Sequence, residues 1–278
     1  MIIHALKRFL KISLLEIRRR FSGKAFMMET DITDRCNLNC AGCYHQHEEH
    51  DPEPGVEQWS EFFEQRYREG IRMVLLVGGE PAMRPEVIRR ACRRFPIVDV
   101  ITNGSLPLEG MPGLRIYLSI DGDEETHDRL GGKGSYRKAL NNFGGDPRVI
   151  INTTLSDENF HCLESLLILS KKEGFRGVSC NIMTPLADQV QQGMPLMKRR
   201  EEMIAHLKTL KKKYPGTLLL NQRMIRWYEY PDHRQRCYWR QNVQHFDSHF
   251  RPRYCFAKLD CSLCGCYAGA STTVRFPF

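Results

Sequence analysis

Three cysteines, Cys36, Cys40 and Cys43, form a C-x3-C-x2-C pattern inside the stretch DRCNLNCAGCYH, and Tyr44 follows the third directly. Three thiolates on so short a loop can converge on one metal centre, and soft sulfur donors select an iron–sulfur cluster or zinc. A closed structural zinc site needs four ligands, for which His45 or His47 is at hand. A four-iron cluster held by three thiolates would instead leave one iron open to a small-molecule ligand. A second thiol group lies near the end of the chain, where Cys255, Cys261 and Cys264 fall in CFAKLDCSLCGCY. Cys261-x2-Cys264 has the spacing of a ligand hairpin, and Cys237 upstream completes four. That set suits one auxiliary four-iron cluster, or else structural zinc, with Cys266 as spare or substitute. Cys92, Cys162 and Cys180 sit within helix and strand patterns and read as buried core thiols.

The elements between these groups alternate. Strands are expected over 27–33, 71–79, 97–104, 114–122, 148–156 and 177–184. Helices are expected over 56–69, 85–95, 136–143, 160–173 and 197–213. Apolar strands alternating with helices specify a parallel sheet of βαβ units. Six such units fit an α/β fold of the incomplete (β/α)6 barrel type. Three segments are expected: a basic amphipathic helix over 1–22, the partial barrel over 23–215, and a small cysteine-rich C-terminal extension over 216–278. Ligands of such sheets gather at the C-terminal ends of the strands. The cysteine loop falls there, as do Gly78-Gly79-Glu80-Pro81, Thr102-Asn103-Gly104 and Ser119-Ile120-Asp121-Gly122. Paired glycines after a strand let a ligand approach the backbone with no Cβ in the way. Asn152 and Thr154 share a strand face with Ile150, turned to a ligand or to backbone groups.

The cysteine spacing, Tyr44 and the GGEP run together resemble the radical S-adenosylmethionine (radical SAM) enzymes, over about residues 27–185. The resemblance implies that Cys36, Cys40 and Cys43 ligate a [4Fe-4S] cluster whose fourth iron is chelated by the methionyl group of S-adenosylmethionine. Reduction then yields a 5′-deoxyadenosyl radical that abstracts hydrogen. By the same resemblance, Gly78, Gly79 and Glu80 meet the methionyl ammonium. Asn103, Ser119 and Asp121 position the ribose and carboxylate, and Tyr44 packs on the adenine or on the barrel wall. The run ETHDRLGGKGSY also resembles the family's peptide-modifying branch, except that Gly131 stands where an arginine is common. The C-terminal cysteines are somewhat similar to the SPASM and twitch extensions, which bind auxiliary clusters. An electron donor such as flavodoxin or ferredoxin is implied, with a peptide or a lipid-like molecule as substrate. A non-enzymatic iron–sulfur electron carrier, or a zinc-binding interaction module, would explain the cysteines but neither GGEP nor six βα units.

The 278 residues carry a net charge of +8, with 41% hydrophobic and 27% charged residues, as expected of a soluble globular protein. Eleven cysteines without a recognisable secretion signal indicate a reducing, cytoplasmic setting rather than a disulfide scaffold. The basic residues are dispersed, and no nucleic-acid motif is present. Ile3, Leu6, Leu10, Leu14, Ile17 and Phe21 form one helical stripe flanked by Lys7, Lys11 and Arg18. Such a helix over residues 1–21 lies on an anionic membrane or a hydrophobic carrier, or packs on the protein's own core.

Overall fold

The computed structural model describes residues 2–40, 43, 52–184, 198–230, 233, 235–253, 255 and 264–266, and the side chains of the first helix from residue 10 onward. Tyr44, Cys261 and the two histidines near Tyr44 lie outside the described residues.

The chain runs α1 (Ile2–Ser22), β1 (Met27–Asp31), α2 (Val56–Glu69), β2 (Met73–Val77), α3 (Pro85–Arg94), β3 (Ile97–Thr102) and β4 (Leu114–Ser119). It continues with α4 (Glu124–Gly131), α5 (Ser135–Phe143), β5 (Val149–Leu155), α6 (Leu163–Lys172) and β6 (Val178–Ile182). Four further elements follow: α7 (Arg200–Lys213), α8 (Gln222–Trp227), α9 (Tyr238–Asn242) and β7 (Val243–Phe246). All seven strands are parallel, in the order β6-β5-β4-β3-β2-β1-β7, and curl into a half-barrel.

The six strands expected from the sequence are present with trimmed ends. The seventh was not expected. β7 belongs to the cysteine-rich segment, yet it pairs with β1 in the register Met27↔Val243 to Thr30↔Phe246. Polar contacts help bind it there, since buried Glu29 of β1 accepts from Trp239 Nε1 of α9 at 3.1 Å and from Arg253 at 3.3 Å. Arg253 also holds Asp31, at 2.9 Å.

Strand alternation divides the sheet into two faces. Met28, Val74, Leu76, Val98, Val100, Ile116, Leu118 and Ile151 face the helices and share one core with Trp59, Phe62 and Phe63 of α2. The concave face is apolar mainly on its β7-to-β3 side, where Leu75 and Val77 carry the apolar patch to the end of β2. There Met27, Met73, Ile97 and Val243 meet Ile12 of α1 and Trp239 of α9. On β4, β5 and β6 the same face turns polar toward the strand ends, through Ser119, Asn152, Thr154 and Asn181. An apolar plug thus fills one side of the half-barrel, and polar side chains line the strand ends of the other.

Candidate active site

The cysteine loop leaves the C-terminal end of β1 and is stitched to the loop after β2 by backbone hydrogen bonds. Gly79 N donates to Thr33 O and Glu80 N to Arg35 O, both at 2.8 Å. These bonds explain the two glycines. A Cβ on Gly78 would stand 2.3 Å from Thr33 O, and one on Gly79 would stand 2.2 Å from Arg35 O. Gly78 also has φ +129°, a conformation that disfavours any side chain. The glycines thus admit a close approach by the protein's own backbone, which fixes where the cysteines begin.

Glu53, just before α2, clamps the same loop. Its carboxylate accepts from Thr33 Oγ1 at 2.5 Å, Asp34 N at 3.0 Å and the Arg35 guanidinium at 3.0 Å, and it pairs with Arg84 at 3.0 Å. Burial pushes the Glu53 carboxyl up, but the bonds from Thr33, Asp34 and Arg35 outweigh it and hold the group below its ordinary value. Neither Glu53 nor Arg84 was legible as functional, because nothing local in DPEPG marks an acid that closes a loop 18 residues earlier.

Glu80 is 1% exposed. Its Oε1 accepts from Ala82 N at 2.8 Å and Thr102 Oγ1 at 2.6 Å, while Oε2 accepts from Asn103 N at 2.7 Å. All three donors are neutral, and among the described residues no cation pairs with this carboxylate. Burial accordingly raises its pKa despite the three bonds. Asn103 links Glu80 to the cysteines: its Nδ2 donates to Asn37 Oδ1 at 3.1 Å and lies 3.8 Å from Cys36 Sγ.

The three thiols share this neighbourhood. Cys36 is exposed, and Cys40 and Cys43 are half-buried. Cys43 N donates to Cys40 O at 3.3 Å, and Cys40 Sγ lies 3.9 Å from Gly131 O at the end of α4. Burial, then the neighbouring thiols Cys43 and Cys36, then Asp121, push the Cys40 thiol up to about 11. As placed, no three histidine, cysteine or acidic side chains among the described residues close around a common point. The donor set still fits a cluster: three sulfurs on one accessible loop, beside a buried carboxylate that has no cationic partner among the described residues.

Ser119 ends β4 half-buried and in register with Asn152, on the polar part of the concave face. Asp121 is committed to neighbouring elements, since Oδ1 accepts from Thr154 N at 2.8 Å and Thr153 Oγ1 at 3.1 Å. Its amide donates to His127 Nδ1 at 3.0 Å. The ETHDRL run forms α4, a helix absent from the sequence expectations. Asp128 there receives Gly134 N at 2.6 Å and Tyr136 N at 3.0 Å and so shapes the turn into α5. An aspartate just before a glycine-rich turn was the available signal. Arg129 forms a surface ion pair with Glu158.

The second thiol group is assembled from distant positions. Cys237 caps α9, its Sγ accepting from Arg240 N at 3.4 Å. Gly265 docks on the end of β6, accepting from Ile182 N at 2.9 Å and donating to Thr184 Oγ1 at 2.8 Å. A Cβ at Gly265 would stand 1.7 Å from Ile182 O. This docking places Cys264 and Cys266 on either side, with Cys266 N 3.4 Å from Cys264 Sγ. Burial, then Glu29, then Cys266, Cys237 and Cys264 push the Cys255 thiol far up, so these four sulfurs act on one neighbourhood. Cys162 and Cys180 are buried in the core, and Cys92 packs against it.

Residues 30–145 match the Radical SAM superfamily. The chain carries a radical SAM domain. Among curated proteins, it is 28% identical over 144 residues to the sporulation killing factor maturation protein SkfB of Bacillus subtilis, a match spanning 46% of this chain and 35% of that one. It is 32% identical over 123 residues to the antilisterial bacteriocin subtilosin biosynthesis protein AlbA of the same organism, spanning 38% of this chain and 27% of that one. The matches thus span about a third of these relatives' length. Among solved structures, Streptococcus suis SuiB bound to its precursor peptide SuiA superposes with a TM-score of 0.61 at 15% identity, covering 84% of this chain and 63% of that one. The radical SAM match includes the cysteine loop, GGEP, and the strand ends carrying Asn103 and Ser119. It stops before the C-terminal thiols.

Proposed function

We propose that this chain is an enzyme that reductively cleaves S-adenosylmethionine and abstracts a hydrogen atom from a peptide substrate. The observation that carries this reading is Glu80, a buried carboxylate with three neutral donors and no cation among the described residues, one strand end away from the cysteine loop. A buried anion of this kind is stabilised by an incoming cation, here the methionyl ammonium. Cys36, Cys40 and Cys43 would hold the [4Fe-4S] cluster. When bound, the cluster and S-adenosylmethionine together supply the electron, the carbon–sulfur cleavage and the hydrogen abstraction. Asn103, tied to Glu80 and to the loop, orients the cofactor, and Ser119 and Asn152 offer polar contacts on the same face. Near the cysteine loop, the ends of β4, β5 and β6 present the polar groups of Ser119, Asn152, Thr154 and Asn181.

A peptide substrate is supported by the relatives, whose names concern maturation of a killing factor and biosynthesis of a bacteriocin. A lipid-like substrate has only the exposed apolar stripe of α1 in its favour. Cys237, Cys255, Cys261 and Cys264, with Cys266 as spare or substitute, would hold an auxiliary cluster, and a flavodoxin- or ferredoxin-like protein would deliver electrons.

The test is anaerobic. The chain is reconstituted with iron and sulfide, then given a strong reductant and S-adenosylmethionine, and 5′-deoxyadenosine is measured beside Cys36→Ala. Product in the wild type alone supports the reading. No product from a fully loaded wild type would favour the electron carrier.

A further inference from the structure

Helix α1 has two unlike faces. One is fastened to the barrel: Ile12 is 2% exposed in the apolar plug, with Leu15 beside it. Glu16, also buried, accepts from Arg19 at 2.8 Å and from Tyr238 Oη at 2.6 Å, and Arg19 reaches Asn242 Oδ1 at 2.6 Å. These bonds clip α1 to α9. At 100° per residue the opposite face carries Leu10, Leu14, Ile17 and Phe21, which are 52%, 66%, 52% and 90% exposed. The sequence offered a membrane or hydrophobic carrier, or the protein's own core, as alternatives for this helix. The fold satisfies the second with the polar-flanked face and leaves the apolar stripe uncovered.

Charge decides what covers the stripe. Lys11 and Arg18 flank it on one side and Arg20 on the other, all exposed, and Lys24 follows the helix. Glu16, the helix's only acid, is turned inward. A second copy pairing through the same stripe would bring these basic flanks together with no exposed acid on the helix to offset them. An anionic lipid surface meets both features at once, taking the apolar side chains below its headgroups and the basic ones at headgroup level. The clip to α9 holds the helix lengthwise, so Leu10 to Phe21 present roughly 16 Å of continuous stripe. Among the described residues no helix is long and apolar enough to cross a membrane, so the contact is with one surface. We propose that the exposed face of α1 docks this protein on anionic membranes, independently of the chemistry at the cysteine end.

The experiment is vesicle flotation with the intact, anaerobically loaded chain. Phosphatidylcholine vesicles containing a quarter phosphatidylglycerol are compared with phosphatidylcholine alone. Binding is expected only to the anionic vesicles and falls as salt is raised. Leu14→Ser with Phe21→Ser lowers the partition coefficient about a hundredfold, from the loss of two buried apolar side chains. Lys11→Glu with Arg18→Glu lowers it by at least about thirtyfold, since charge is reversed at two sites. Both pairs are solvent-exposed, so circular dichroism and iron content stay at wild-type values. Absence of binding, or equal binding by the variants, would overturn the proposal. So would a concentration-dependent dimer dissolved by Leu14→Ser with Phe21→Ser, which would give the stripe to a second copy. Deoxyadenosine formation in lipid-free buffer reads the catalytic proposal separately.

Discussion

The two thiol groups are built in opposite ways. Cys36, Cys40 and Cys43 come from one loop, and the surrounding structure only has to hold that loop: backbone bonds from Gly79 and Glu80, the Glu53 clamp, and Asn103. Cys237, Cys255, Cys264 and Cys266 come from a helix cap, a strand exit and a segment docked on the far edge of the sheet. The first group is a local design backed by neighbours, while the second exists only once β7 has paired with β1 and Gly265 with β6. Loop closure over such distances costs entropy that the local group never meets. The first group should therefore tolerate loss of the C-terminal segment's docking, and the second should depend on it.

The sharpest way to break this contrast is a pair of glycine substitutions. Gly79→Ala forces a Cβ against Arg35 O at 2.2 Å, and Gly265→Ala forces one against Ile182 O at 1.7 Å, both backbone atoms that cannot swing aside. Gly79→Ala should lower deoxyadenosine formation about a hundredfold, the loss that a displacement of about 1 Å in a catalytic loop can cause. Gly265→Ala should leave that rate within about threefold while iron per chain falls, provided the two groups are independent. Assays of iron and product on both variants read the difference.

Next in size is Glu80. Glu80→Ala strips the acceptor from two buried donors and one half-buried one and should cost about 3 kcal/mol in urea unfolding. Glu80→Gln keeps the shape, removes the charge, and should weaken S-adenosylmethionine binding about tenfold or more in equilibrium dialysis. An unchanged affinity in Glu80→Gln would remove the ammonium from this carboxylate.

The smallest effect is on pH. The folded-state pKa of Glu53 lies below its ordinary 4.5, so its clamp is fully present above that value. Its contribution is lost as pH falls through the lower, folded value. Exchange of the Asp34 amide, which donates to Glu53 at 3.0 Å, should accelerate over that range relative to the pH trend of other amides, and Glu53→Gln should abolish the excess.

How far the sequence was readable follows the same division. The six βα strands, the cysteine loop and GGEP were legible because each is a short pattern with local physics: apolar runs, close thiols, glycines after a strand. The reason given for the glycines was incomplete, since they admit Thr33 and Arg35 backbone. β7 escaped because VQHF carries two polar residues, and its place depends on Glu29, Trp239 and Arg253 contacts made across more than 200 positions. Glu53 and Arg84 escaped for the same reason at shorter range. The helix α4 was masked by the turn signals of Gly131 and Gly132, although Asp123 caps it by accepting from Thr126 N at 3.0 Å.

One spectroscopic comparison tests the central claim most directly. The reduced protein is examined by electron paramagnetic resonance with and without S-adenosylmethionine, as wild type, as a Cys36/Cys40/Cys43→Ala variant and as a Cys237/Cys255/Cys264/Cys266→Ala variant. The account predicts a cofactor-induced change of signal in the wild type and in the C-terminal variant, and none in the loop variant. A cofactor-induced change that survives in the loop variant, or one lost only with the C-terminal thiols, would contradict it.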